Sequence, residues 1–274
     1  MPQRVLLAVY AHPDDELSAG GTLAHYARQG VSTHLICATR GEVGEAPPDL
    51  KGFASVAEMR TNELQCAACI LGLASVNFLG YRDSGMPGSP DNHHPNALSA
   101  APTDEVARKI AAHIRRLKPQ VVITFDPIGS YRHPDHIAIH RATVEAFKIA
   151  GDSETDAPQK LYFSTFPRGF LRLAVRLLKL LGRDPRHFGK NGDIDLESLV
   201  EFDFPIHARI SIDDALDQKG RAAACHSSQL GSMGGALARA FQRLFANAET
   251  FMRAAPSEPP AHIERDLFEG VKLD

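Results

Sequence analysis

Cysteine is scarce. The chain has four in 274 residues, at positions 37, 66, 69 and 225, too few for the disulfide framework of a small secreted scaffold. Cys66 and Cys69 form a CxxC, but they fall inside the helical run EMRTNELQCAACILG, where they are read as small core-facing residues rather than a redox or zinc pair. Neither sign of charge dominates. A net charge of −3, with 23% charged and 43% apolar residues, is that of an ordinary soluble globular protein, with no basic footprint for nucleic acid. No apolar run approaches the ~20 residues of a membrane-spanning helix. The first one begins by Val5, is short and runs straight into HPDDE, which argues against a signal peptide and for a cytoplasmic protein. No GxGxxG opens the first helix, so a dinucleotide role loses its best support. Repeats and charged tails are missing too. The length suits one α/β domain spanning 1–274, with residues 166–274 as its lid or C-terminal region.

What is present centres on two stretches, RVLLAVYAHPDDE at residues 4–16 and QVVITFDPIGSYRHPDH at residues 120–136. Each reads as a strand buried on both faces, because a continuous apolar run is the pattern of a parallel sheet covered by helices. Each then enters a His-Pro turn. Proline is favoured at the first helical position, where its missing N–H has no intrahelical partner, so helices are expected to start at Pro13 and Pro134. A second metal-competent side chain follows each histidine by three residues: Asp15 after His12, His136 after His133. That spacing puts both members of a pair on one face. Ligands of open α/β sheets bind at the carboxyl ends of strands, so the two turns are expected to face each other across one crevice.

Between and beyond them, strands and helices alternate, which argues a Rossmann-like, mostly parallel sheet flanked by helices, with right-handed crossovers and a metal site at the C-terminal ends of the strands. LSAGGTLAHYARQG reads as a helix closed by Gly30, VSTHLICAT as a strand, and TRGEVGEAPP as a glycine-rich loop walling the site, where Arg40 and Glu42 either serve the site or pair with each other. Residues 57–71 form a helix and SVNFLGY a short strand. RDSGMPGSPDNHHP fits a substrate loop or an irregular surface excursion equally well. Residues 103–117 read as a helix capped by Thr103, KLYFSTFP as a strand. The run FLRLAVRLLKLL, from Phe170 to Leu181, is an amphipathic helix that packs on its own protein, serves as a lid, or lies on a membrane surface, the first being the expected case. Residues 203–214 form a late strand feeding a helix that contains CHSSQ, and GSMGGALARAFQRLFANAETFMRAA a flexible start and an amphipathic helix. His93, His94 and His113 lie in solvated settings and carry no weight.

Imidazoles with one or two carboxylates favour a zinc-like divalent metal over magnesium, whose shells are all oxygen; zinc is the expected ion, with iron the alternative. His12, Asp15, His133 and His136 are four candidates. A closed set of four is structural, whereas a catalytic site keeps one position open, so an enzyme must use some of them otherwise.

Taken together, AHPDDE, the HPDH about 120 residues later, TRGE between them and the RDSGM loop resemble the LmbE-like (PIG-L) family of zinc-dependent N-deacetylases, over roughly the first 150 residues. The resemblance implies that His12, Asp15 and His136 bind the metal and that Asp14 is the general base. It also implies that a protonated His133 assists the transition state with Asp135 behind it, that Tyr131 helps hold the oxyanion, and that Arg60 and Asp83 contact substrate. The expected reaction is removal of an acetyl or other acyl group from the amide nitrogen of an N-acetylglucosamine-type or other amino-sugar conjugate. An amidase of a thiol conjugate and a catalytically inactive sugar-binding relative are the alternatives. Oligomeric state is not read from the sequence.

Overall fold

A computed structural model describes residues 3–45, 50, 52–152, 157–166, 168–187, 195–230 and 247–273. Strand β1 (Val5–Tyr10) is buried at every position, from Val5 at 7% exposure to Tyr10 at 0%. It is followed by a 3-10 turn at Asp15–Ser18 and by α1 (Gly20–Arg28), so no helix starts at Pro13. The next elements are β2 (Ser32–Cys37), α2 (Val56–Leu71), β3 (Ser75–Phe78), α3 (Thr103–Leu117), β4 (Val121–Phe125), α4 (Gly129–Arg132) and α5 (Pro134–Gly151). Pro134 does stand at the start of α5, with His133 as the cap. Helix α3 begins at Thr103, but Pro102 holds the cap position and no side chain caps the helix. The expected Thr103 cap is corrected by one residue: Thr103 is already helical, and a cap must stay outside the helix.

The second half adds β5 (Lys160–Thr165), α6 (Arg168–Leu180), α7 (Leu196–Leu199), β6 (Ala208–Ser211), α8 (Leu216–Cys225), α9 (Ser227–Leu230) and β7 (Ala248–Ala255). The seven strands form one sheet in the order β3-β2-β1-β4-β5-β7-β6. The first five are parallel; β7 runs antiparallel to β5 and to β6. Residues 248–255 therefore correct an expectation, for they form an inner strand and not a helix. Hydrogen bonds to neighbours on both edges outweigh whatever helical periodicity the segment carries. The preceding part of that expected helix lies outside the described residues.

Helix α6 packs one face on the protein. Leu171, Val175 and Leu178 join Leu196, Leu199, Ile128 and Tyr131 in one cluster, while Leu173, Leu177 and Leu180 stay exposed. No helix among the described residues is long and apolar enough to cross a membrane. The CxxC is also corrected. Cys66 and Cys69 both lie on the exposed side of α2, Cys66 is disulfide-bonded to Cys225 at the end of α8, and Cys69 is a free thiol. The chain segments at 66 and 225 are 159 residues apart, a pairing that local spacing does not reveal.

Candidate active site

Strands β1 and β4 are neighbours in parallel register, Leu6 against Val121 and Ala8 against Ile123, so the turns that follow them emerge side by side at the carboxyl end of the sheet. The two His-Pro turns meet there. Nδ1 of His12 lies 3.2 Å from Nε2 of His136 and 3.2 Å from Oδ2 of Asp15, and Nε2 of His136 lies 3.3 Å from Oδ1 of Asp15. A tetrahedral ion with bonds of ~2.0–2.1 Å has ligand-to-ligand edges of ~3.3 Å, close to these spacings, the two Asp15 distances running to different oxygens of its carboxylate.

The outer nitrogen of each ring is already engaged. Nε2 of His12 lies 3.0 Å from Oδ2 of Asp135, and Nδ1 of His136 lies 3.2 Å from the carbonyl of Gly129. Donation at those outer positions leaves the inner nitrogens of the neutral rings with lone pairs aimed at each other and at the Asp15 carboxylate, an arrangement that a cation relieves. Without one, a proton serves. Burial disfavours charge on His12, but hydrogen bonds with Asp135, Asp15 and Asp83 outweigh it and raise its pKa well above the usual histidine value. Burial likewise opposes ionisation of Asp15, yet His136 and His12 hold its carboxyl well below the usual range. The donor set and the surplus of carboxylate over fixed positive charge both fit a divalent cation.

His12, His133 and His136 form one group of potential ligand atoms within 4.8 Å of one another, and His12, Asp83 and Asp135 another. Hydrogen bonds separate the roles. Asp135 accepts the backbone N–H of Ser84 at 2.8 Å and the Ser84 hydroxyl, while Asp83 accepts the N–H of Gly85 at 2.8 Å and lies 3.4 Å from Nε2 of His12. These two carboxylates are occupied in holding His12 from behind. The expected place of Asp135 is behind His133, and its side chain is not there. What ties the two residues is the backbone N–H of Asp135 donating to Nδ1 of His133 at 3.2 Å, which is the cap of α5. An accepting Nδ1 leaves Nε2–H as the donor of a neutral ring. Burial and the adjacent His12 and His136 press the pKa of His133 down to about 2, a direction that favours the neutral imidazole over the protonated one that the resemblance implies.

Asp14 occupies a strained backbone state, φ 109°, of the kind that costs ~1–3 kcal/mol and persists only when surrounding contacts over-determine it. Its N–H donates to Oε2 of Glu16 at 2.9 Å, and its carboxylate lies 3.3 Å from the Arg60 guanidinium. Burial pushes its pKa up to about 7, with Arg60 opposing and Asp15 and Glu16 reinforcing the shift. Arg60, expected on substrate, is 4% exposed and also donates to the carbonyls of Gly41 and Pro13. It threads a glycine loop in which a Cβ on Gly41 would lie 2.1 Å from the guanidinium. In the same loop Arg40 and Glu42 do not pair: Arg40 donates to Thr61 and sits over the Phe78 ring, and Glu42 accepts the N–H of Asp83. Tyr131 stands with its ring centroid 5.0 Å from that of His136, in an irregular turn where Ser130 and Arg132 have positive φ. Burial raises its pKa above the ordinary phenol value.

Four contributors escape a reading of the sequence: Ser84, Glu16, His226 and Phe125, whose ring stacks on His136 at 3.9 Å between centroids. Ser84 lies in the RDSGM loop and Glu16 in HPDDE, so the motifs contain them without revealing their partners.

Comparison with known proteins supplies the lineage. Residues 7–147 match the family model described as PIG-L, GlcNAc-PI de-N-acetylase. A protein of Acidothermus cellulolyticus named 1D-myo-inositol 2-acetamido-2-deoxy-alpha-D-glucopyranoside deacetylase is 39% identical over 98% of this chain and 96% of its own length. One of the same name from Thermobifida fusca is 36% identical over 98% of this chain and all of its own. Among solved structures, a conserved protein of Thermus thermophilus superposes with a TM-score of 0.60 at 27% identity, covering 96% of this chain and 98% of that one. The N,N'-diacetylchitobiose deacetylase of Pyrococcus horikoshii shares the fold, with a TM-score of 0.62 at 19% identity over 93% of this chain and 84% of its own. Both His-Pro turns fall within the matched residues, the sheet order places them together, and near-full-length relatives extend the likeness over the rest of the chain, which belongs to the PIG-L family.

Proposed function

We propose that this protein is a metal-dependent hydrolase that removes the acetyl group from an N-acetylglucosamine-type conjugate, with N-acetylglucosamine joined to inositol as the substrate that the names of its relatives favour. The observation that carries the reading is the cluster of donors on His12, Asp15 and His136, with the neighbouring Asp14 held apart from it by its contact with Arg60. These three residues would hold the ion, zinc first and iron second. When bound, a divalent cation supplies a Lewis acid for the amide carbonyl and lowers the pKa of a water from ~15.7 toward ~7.

The chain's own groups account for the rest. Asp14 takes a proton from the water that attacks the acetyl carbon and hands it to the nitrogen as the C–N bond breaks, leaving a free amine and acetic acid, whose own proton goes to solvent. A pKa near neutrality, about 7, suits a group that must accept and then donate. Nε2–H of His133 and the Tyr131 hydroxyl donate to the oxygen that gains charge, and one such donor is typically worth ~10²–10³ in rate. Asp135 and Asp83 orient His12, and Arg60 keeps the Asp14 carboxylate turned toward the site while the rim around Tyr131 takes the sugar.

The test is metal analysis of the purified protein together with amine release from N-acetylglucosaminyl-inositol. Activity lost to a chelator and regained with zinc or ferrous iron is expected. Full activity of metal-free protein removes the metal reading; sugar binding with no amine release makes the protein a binding relative; preference for a thiol-conjugate amide makes it an amidase.

A further inference from the structure

The CHSSQ segment, residues 225–229, contributes nothing to the donor cluster, yet it is fastened to each piece of structure around Asp14. Its first residue is disulfide-bonded to Cys66 of α2. His226 breaks the helical path between α8 and α9 and is 0% exposed. Its Nε2 lies 2.7 Å from Oε1 of Glu16, which is equally buried, and the other oxygen of that carboxylate accepts the Asp14 N–H at 2.9 Å. Ser228 donates to Glu63 of α2 through its backbone N–H at 2.9 Å and its hydroxyl at 2.6 Å, one turn along from Arg60. The side-chain amide of Gln229 accepts the N–H of Glu45 at 3.3 Å and donates to its carbonyl at 3.0 Å, closing the loop whose Gly41 and Gly44 flank the Arg60 guanidinium.

The left-handed backbone of Asp14 gives this arrangement its meaning. A residue there persists only when surrounding contacts over-determine it, and the Glu16 carboxylate on its N–H is one of those contacts. A fully buried carboxylate in turn needs its remaining oxygen satisfied, and His226 is the group that satisfies it. Nδ1 of the same ring has no partner among the described residues, so the ring is anchored through Nε2 alone. Resting on the reading of Asp14 as the base, we propose that the CHSSQ segment positions that base: His226 acts through Glu16 on the Asp14 backbone, while Ser228 and Gln229 set the helix and the loop that carry Arg60 to its carboxylate. His226 and Glu16 are positioning residues and touch no substrate.

Steady-state kinetics of the full-length, metal-loaded protein on N-acetylglucosaminyl-inositol test this. His226→Ala is expected to lower kcat by about 10- to 100-fold, the loss that a misplacement of ~1 Å produces, with KM within about twofold and metal content unchanged. His226→Gln places an amide nitrogen where Nε2 stands and is expected to recover most of the rate, which a generic packing role would not explain. Glu16→Gln keeps the shape and provides the second variant should His226→Ala fail to fold; its kcat, measured on folded protein, is expected to fall, and breaking a buried pair lowers its thermal midpoint as well. An unchanged kcat in folded His226→Ala or Glu16→Gln, a His226→Gln no better than His226→Ala, or a loss confined to KM or metal content overturns the proposal. Asp14→Asn in the same assay separates the two readings: if it is inactive while His226→Ala is normal, only the positioning role falls, and if Asp14→Asn is active, the base assignment falls with it.

Discussion

The carboxylate of Asp135 rests 3.0 Å from Nε2 of His12 and makes no side-chain hydrogen bond with His133, two residues before it in the chain. The first turn of α5 aims it across the crevice, where it fixes which nitrogen of His12 is free.

Asp135→Asn should therefore behave as a metal-affinity variant. Loss of a carboxylate behind a ligating histidine typically weakens metal binding by ~10–100-fold. Titration with zinc should show that loss, and activity should recover at high zinc. An activity deficit that saturating metal leaves untouched would place Asp135 in the chemistry instead.

Neighbouring aspartates should part company. Asp14→Asn removes a base and no ligand, so metal content should stay near normal while kcat falls by ~10²–10⁴; Asp15→Ala should purify without metal. Metal analysis beside single-turnover rates decides it, and the opposite pattern would exchange the two roles.

Gly129 should not tolerate alanine. Its φ is +65°, and a Cβ there would stand 2.8 Å from Cβ of His136 and 2.9 Å from the backbone N of Ile137. The ring of His136 would have to move away from His12. Reduced metal affinity with the fold retained by circular dichroism is the expected result; wild-type affinity would show that the turn can shift without the ring.

Acid stability should depend on Glu264. This buried carboxylate accepts Nζ of Lys160 at 2.7 Å, the Tyr162 hydroxyl at 2.6 Å and Arg253 at 2.8 Å. Burial disfavours its charge, but Lys160 and Tyr162 outweigh that and its pKa is lowered from 4.5. A depressed folded-state pKa gives stability that is present above the unfolded value and lost as pH falls through the folded one. Glu264→Gln should thus be less stable than wild type at pH 7, by ~3–5 kcal/mol for a broken buried pair, and the gap should narrow below about pH 4.5. Urea unfolding at several pH values reads it; a gap that widens in acid would reverse the assignment.

Much of this was legible in the sequence because a strand covered on both faces must be apolar throughout. Val5–Tyr10 and Val121–Phe125 announced the centre of a parallel sheet, and the residues at their ends announced a site. What escaped depends on partners distant in the chain. Asp135 lies two residues after His133 in sequence but answers to His12, 123 residues away. Residues 248–255 are a strand because β5 and β6 border them, a fact that no local pattern carries. Protonation escaped as well: the capping bond from the Asp135 N–H to Nδ1 of His133 favours a neutral imidazole, and a motif records residues without their tautomers.

Glu249 on β7 accepts the backbone N–H groups of Gly21 and Thr22 at 2.9 and 2.8 Å and pairs with Lys219, so the helix leaving the HPDDE turn is tied down by a residue 228 positions later. His226 reaches back 210 residues to the same turn. During synthesis β1, β2 and β4 can assemble early, but contacts of such sequence separation form only after the loop between them has closed. The turn is therefore completed only once the segments that carry His226 and Glu249 have joined it, and the five parallel strands can pair before it has its last contacts.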